Sequence, residues 1–399
     1  MKNTKRILAL SLMVFIVIAI VACGNQGGTT DPSADGNNLP TSSITDPDEV
    51  RRIIAEVEEN ANWGVLAHEF GILDTITEII QLDRDFHFRI GTVTGGRSNP
   101  VFVMEQFQAY VEASTAGRVR VDIFPLAQLG PHAQGLQGVL AGDITGWVSP
   151  IEMLAPFAPG VGVVSIPFFF EDGTYQAARI FRNDPTMDNY LKDSGFWPVS
   201  WNPMNSSVVL SNTRFETISD FRGARIWTQP TEMMQMTFSS FGAVPVVTDT
   251  SEIALGMQTG TLDAACSGIT LFDNFGIQAS AQYIHRFPML PSPLGLWFGV
   301  EFMESLPEDL QEVILRAGRK TSDLQYIFNG DLMLATDDAV LAEVELVEPS
   351  DELLAAAREA TAHISEFFRS QSEDNARLYE TFKVLIENDI AAGGGGGLW

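Results

Sequence analysis

His68-Glu69 opens the HExxH arrangement, in which two histidines one helical turn apart hold zinc while the glutamate activates water. Position 72 is Ile72, so the second ligand is missing and the pair reads as helix surface. Gly160 and Gly162 begin a GxG turn. Ser165 stands where the third glycine of a dinucleotide fingerprint belongs, and Pro167 follows where a helix should open on a pyrophosphate. No GxSxG elbow or GxxxxGK loop occurs, and none of the five histidines (His68, His87, His132, His285, His363) adjoins a serine or cysteine in a nucleophile motif. Glu252 and Asp263 remain as an acid and base of the glycoside-hydrolase kind. Glu252 opens a helical run, where the dipole favours a carboxylate, and Asp263 follows Gly260-Thr261-Leu262 as a turn-capping carboxylate, so a structural role is the stronger reading for both. Cys23 and Cys266 show no metal-ligand spacing, and no cofactor is expected.

The elements that must position any site begin with the N-terminus. Lys2, Lys5 and Arg6 precede an apolar run over residues 7–22 broken only by Ser11, too short for a comfortable membrane span. Ile20-Val21-Ala22-Cys23 resembles the lipobox of bacterial lipoproteins, so residues 1–22 read as a signal peptide and Cys23 as the lipidated first residue of the mature chain. Residues 23–45 are Gly, Asn, Thr, Ser, Asp and Pro with hardly an apolar side chain, a flexible tether. Residues 46–85 form an acidic extension in which Val50, Ile53, Ile54 and Val57, then Phe70, Leu73, Ile76, Ile79 and Ile80, recur at helical spacing.

The body is long enough for two domains, and 45% hydrophobic against 19% charged residues excludes wholesale disorder. A net charge of −27, from 51 acidic and 24 basic residues, would repel nucleic acid and anionic lipid. Cleavage of the leader leaves 21 basic against 51 acidic residues, or −30. Alternation over residues 86–93, a helix started by Ser98, Asn99 and Pro100 and stopped by Gly117, and alternation again at Val119, Val121 and Ile123 compose a βαβ unit; the fold class is α/β. Further strands are expected at 144–148, 161–166, 197–201, 208–211, 224–227, 243–247 and 296–300, and one directly after Asp263. A long helix over 306–343 opens with Ser305 and Glu308 at capping-box spacing, a second helical stretch covers 351–387, and 391–399 is a Gly-rich tail.

Phe124-Pro125-Leu126-Ala127-Gln128-Leu129-Gly130, Ala141-Gly142-Asp143-Ile144, Ser165-Ile166-Pro167-Phe168-Phe169-Phe170 and Asp220-Phe221-Arg222-Gly223-Ala224-Arg225-Ile226 follow one another along the chain. Gly242-Ala243-Val244-Pro245, the run from Glu252 to Asp263, and Leu306-Pro307-Glu308-Asp309-Leu310-Gln311 come after them. Seven motifs in this order resemble the extracytoplasmic solute-binding subunits of tripartite ATP-independent periplasmic (TRAP) transporters, of the C4-dicarboxylate-binding DctP type. The resemblance implies two lobes joined by crossing strands, a long helix bridging them, and a ligand enclosed between them. Lobe I is expected from 86–206 plus about 293–335, and lobe II from 207–292 plus about 336–390. The partners it implies are a small-molecule solute (an organic acid, sugar or amine) and the large and small TRAP membrane subunits, with the membrane held through Cys23. A ligand-sensing lipoprotein serving a membrane receptor is the alternative, and a secreted hydrolase a weaker one.

In many members an arginine in the strand after the Asp-x-x-Gly segment holds a substrate carboxylate; counting from Gly223, that slot holds Trp227. A second arginine slot, before Ser211-Asn212, falls at Ser207, and a third polar contact falls at Ser267. A tryptophan there offers an aromatic plate suited to a sugar face or an ammonium group, or else packs between sheet and helix. Arg225, on the same strand face, and Arg97, in the loop after the first strand, could supply positive charge; Trp147, Glu152 and Asn205 sit near other cleft-lining stretches.

Overall fold

A computed structural model describes residues 43–170, 173–204, 207–287 and 290–393. The signal segment, Cys23, nearly all of the tether, Asn205 and the end of the Gly-rich tail lie outside the described residues.

Two mixed sheets organise the body. The first has five strands in the order Val119–Phe124, Phe86–Gly91, Gly146–Pro150, Leu294–Gly299 and Phe196–Asn202. Its founding unit is the expected βαβ: Phe86 pairs in parallel with Val119, and Gly91 with Phe124, across the helix Asn99–Ser114. Gly117 ends that connection, its missing Cβ accepting without strain the left-handed φ of +75° that turns the chain back into the sheet. The second sheet has six strands, in the order Glu345–Val347, Tyr283–Arg286, Ser207–Ser211, Ala264–Gly268, Arg225–Trp227 and Val244–Val246.

The chain passes between the sheets along two antiparallel segments. One leaves the first sheet after Asn202 and enters the second at Ser207; the other returns from Arg286 to Leu294. Asn202 lies opposite Leu294, and the Ser207 amide donates to the Leu290 carbonyl at 3.2 Å, so the two crossings run side by side. The helix Glu308–Leu341, 34 residues and so ~51 Å long, makes a third connection. Leu310, Val313, Ile314 and Ala317 sit in the core of the first sheet, whereas Val340 sits in that of the second, beside Leu210 and Ile284.

Five expectations change. Of the helical extension expected over 46–85, only Pro47–Asn60 and Leu66–Glu69 are α-helix; Leu73–Thr75 is a 3-10 turn and Ile79–Ile80 a strand, because pairing with Ser43–Ile44 holds the isoleucines extended. Residues 161–166 form part of a 3-10 helix, Pro159–Ser165, because Pro159, Gly160 and Gly162 interrupt an apolar run buried from every side and carrying no strand alternation. The stretch 351–387 divides into Asp351–Thr361, Ile364–Ser370 and Glu373–Ala391; Ser372 opens the last by accepting the Asn375 amide. Ser305 closes the short helix before the long one, donating its hydroxyl to the Phe302 carbonyl. The final helix packs on the first sheet rather than the second: Phe382 meets Phe181 with ring centroids 5.1 Å apart, and Asp389 pairs with Arg179 at 2.7 Å.

The acidic extension is a cover. Asp46 caps the helix Pro47–Asn60, and Ser43–Ile44 pairs with Ile79–Ile80. Val50, Ile53, Leu66, Ile72 and Ile76 share one core with Phe102 and Phe107, so the Asn99–Ser114 helix is buried all round. That enclosure takes in two of its carboxylates: Glu105 accepts the Leu66 amide at 2.8 Å, and Glu112 accepts the Trp63 indole N–H at 2.6 Å.

Candidate ligand-binding cleft

The carboxyl ends of four strands, two from each sheet, meet at one small cavity. Thr92 and Thr94 follow Phe86–Gly91, Pro150 ends Gly146–Pro150, Trp227 ends Arg225–Trp227, and Ser267 and Gly268 end Ala264–Gly268. Open α/β sheets place ligands there because the backbone leaves the strands and frees polar groups and loops. The cavity measures about 30 Å³, room for no more than a few waters. Grooves of about 780 and 690 Å³ flank the extension instead, and strand ends do not converge on either.

Trp227 and Ser267 both line this cavity. Trp227 also shares a core cluster with Ile253 and Met257, and its indole donates to the Thr248 carbonyl at 3.1 Å, so it is at once wall and core. Ser207 is buried opposite Gly268, and its hydroxyl has no hydrogen-bond partner. Trp147 lies behind the wall. Its indole N–H donates at 2.9 Å to Nδ1 of His132, which lines the cavity, and this leaves the imidazole proton on Nε2. Burial holds the His132 pKa down at about 4, so the ring is neutral at physiological pH.

The two arginines are committed elsewhere. Arg225 makes a two-point pair with Asp263, Nε to Oδ2 at 2.8 Å and Nη2 to Oδ1 at 2.7 Å. Arg97 pairs with Glu69 of the extension at 2.5 Å and lies over the Phe328 ring. The first pair also removes the hydrolase arrangement, since both oxygens of Asp263 are occupied and Glu252 sits exposed at the start of its helix. Cys266 is buried, and burial pushes its thiol pKa up, away from the reactive thiolate.

Glu152 is 2% exposed, in the 3-10 turn Ile151–Leu154 just after Pro150. Burial pushes its carboxyl up to about 8, offset only in part by its own backbone N–H and by the nearby Ser292 hydroxyl. Neither Glu152 Oε2 nor Ser292 Oγ has a hydrogen-bond partner of normal geometry. Sequence reasoning missed Thr92, Thr94 and His132. The position of the threonines directly after the first strand was a usable signal, whereas His132 reaches the cavity only through tertiary packing.

The sequence profile of the DctP family, bacterial extracellular solute-binding protein family 7, matches residues 90–371. The chain belongs to the DctP family. DctP proteins bind solutes extracytoplasmically and are not enzymes. The 2,3-diketo-L-gulonate-binding periplasmic protein YiaO of Escherichia coli is 22% identical over 59% of this chain and 73% of its own. Among solved structures, the ectoine-binding protein of the TeaABC TRAP transporter of Halomonas elongata superposes with a TM-score of 0.72 at 18% identity, covering 76% of this chain and 99% of that one. A TRAP solute-binding protein of Chromohalobacter salexigens with bound D-glucuronate gives 0.71 at 18% identity, over 74% and 99%. These likenesses show the DctP two-lobed fold. Among the described residues no helix is long and apolar enough to cross a membrane, and no group of His, Cys, Asp or Glu is placed to hold a metal.

Proposed function

We propose that this DctP protein is held outside the cytoplasmic membrane by lipid on Cys23, closes two lobes around a small solute, and delivers it to the large and small membrane subunits of a TRAP permease. The observation that carries this reading is the convergence of strand ends from both sheets on one cavity beside two crossing strands. Each lobe takes one sheet: 86–206 with 293–335, and 207–292 with 336–361, while the helices after residue 361 go with the first lobe on their packing. A solute cannot enter a space of about 30 Å³, so loading requires the lobes to open, and closure then strengthens polar contacts by excluding water.

Among the described residues lining the cavity, none is Lys or Arg. A dicarboxylate without a guanidinium partner would lose its hydration with no charged hydrogen bonds in return, so succinate and malate bind weakly or not at all. Calorimetry with both acids tests this; tight binding of either, lost in Trp227→Ala, overturns it. The transport role is tested by deleting the gene and measuring uptake of the solute that co-purifies with the protein. Undiminished uptake through the same permease would end the delivery reading.

A further inference from the structure

We propose that the cleft takes a solute bearing a cationic hydrogen-bond donor, such as an ammonium or amidinium group, and that Glu152 is its counter-ion. The inference rests on the capture reading above and assigns the charge class of its solute. Three observations support it.

Among the described residues the cavity wall carries no cationic side chain, while an ionisable carboxyl is buried in the turn that supplies two of its wall residues. No lysine or arginine among the described residues lines the cavity, Arg225 and Arg97 are spent on Asp263 and Glu69, and His132 is neutral. Glu152, by contrast, lies between two wall residues in sequence, Pro150 and Met153, with Oε2 buried and without a partner. A buried carboxyl with a free oxygen is costly unless a donor meets it, and a cation is the donor that recovers the most.

The acid does not stand alone. The Ile151 amide donates to the Pro293 carbonyl at 3.0 Å, which sets Glu152 against the crossing strands at Ser292. Along those strands Asn202 Oδ1, Ser207 Oγ and Ser292 Oγ are also buried without partners, as are the side chains of Thr228 and Gln229 at the end of the Trp227 strand. Five of these free atoms are hydroxyl or amide oxygens that can accept a hydrogen bond. None of these residues lines the cavity itself, but buried polar groups are ordinarily satisfied, so unpartnered acceptors along the crossing strands and at the end of the Trp227 strand are what a polar solute rich in donors would complete as the lobes close.

The third observation is the aromatic wall. Trp227 lines the cavity at the end of its strand, and the attraction of an ammonium for an indole grows when water is excluded. A bare carboxylate would be repelled there and would find Glu152 instead of an arginine.

Mass spectrometry of the solute retained by the purified protein comes first, followed by calorimetry with agmatine and putrescine, the neutral polyols glucose and myo-inositol, and the acids succinate and glucuronate. Supporting outcomes are a retained cation, or binding of a cationic probe that weakens about tenfold or more in Glu152→Gln. Wild-type protein supplies a readout that does not depend on the variant folding. Calorimetry at pH 7 in buffers of different ionisation enthalpy should show a proton released on cation binding, because the neutral Glu152 must ionise to pair. Cys266, the other titratable group acting with Glu152, stays protonated throughout and contributes no proton. Binding of only sugars or acids, with affinity unchanged in Glu152→Gln, overturns the charge assignment and leaves solute capture standing. No retained solute and no binding by any probe overturns both.

Discussion

At the scale of residues, the decisive contacts are pairs that sequence spacing does not disclose. Arg225 and Asp263 are 38 residues apart, and Arg97 and Glu69 are 28 apart; each pairing turns a candidate ligand contact into a structural one. Asp263 also accepts the Arg225 amide at 2.8 Å, and the Arg225 side chain is the main cause of a carboxyl held below its usual range. A depressed folded pKa adds stability above the unfolded value of about 3.9, and that stability is lost as the pH falls through the folded value. Asp263→Asn should therefore cost about 1 kcal/mol at pH 7, modest because the pair is partly exposed. Urea titrations at pH 7 and below pH 3 check this; a difference that persists unchanged in acid would show that the ion pair is not its source.

At the scale of elements, the long helix was legible because a Pro-initiated run with helical apolar spacing has one interpretation. Its seating was not. Gly318 faces the strand Phe196–Asn202, and a Cβ there would lie 1.9 Å from the Val199 carbonyl oxygen. Backbone on both sides leaves nothing flexible to yield, so Gly318→Ala should destabilise the protein by roughly 2–3 kcal/mol. Chemical denaturation measures the loss, and an unchanged midpoint would mean that the helix does not rest on this strand. The 3-10 helix Pro159–Ser165 shows the opposite limit. A short apolar run buried on all sides carries no period, and only its neighbours decide between strand and turn. The short strands Tyr283–Arg286 and Glu345–Val347 likewise acquire their identity from pairing, the first with Ser207–Ser211 and the second with the first.

At the scale of the whole molecule, four buried groups give stability a pH dependence of predictable sign. Burial raises Glu152 to about 8 and Asp188 to about 6, and lowers His132 and His285 to about 4. The raised carboxyls make the folded state hold protons that the unfolded chain releases, so their contribution declines as the pH climbs from about 4 to 8. The histidines act the other way, and their contribution is lost as the pH drops from about 6.5 to 4. Between pH 4 and 6.5 the two trends oppose; above that range Glu152 alone still titrates among these four. The melting temperature should fall from pH 6.5 to 8, and Glu152→Gln should remove most of that fall. A slope that survives the substitution would place its origin in another group.

The sequence by itself determined the α/β class, the two-body length, the bridging helix and the ordered DctP motifs, because periodicity, turn residues and local spacing act over a few residues at a time. It also put a tryptophan and a serine, Trp227 and Ser207, at positions where the resemblance implies arginines. Tertiary structure decided what those replacements face, how the acidic extension covers the Asn99–Ser114 helix, and which charges remain available. Burial and pairing are set by groups distant in sequence, so the commitment of Arg225, the neutrality of His132 and the free oxygen of Glu152 emerge only once the sheets meet.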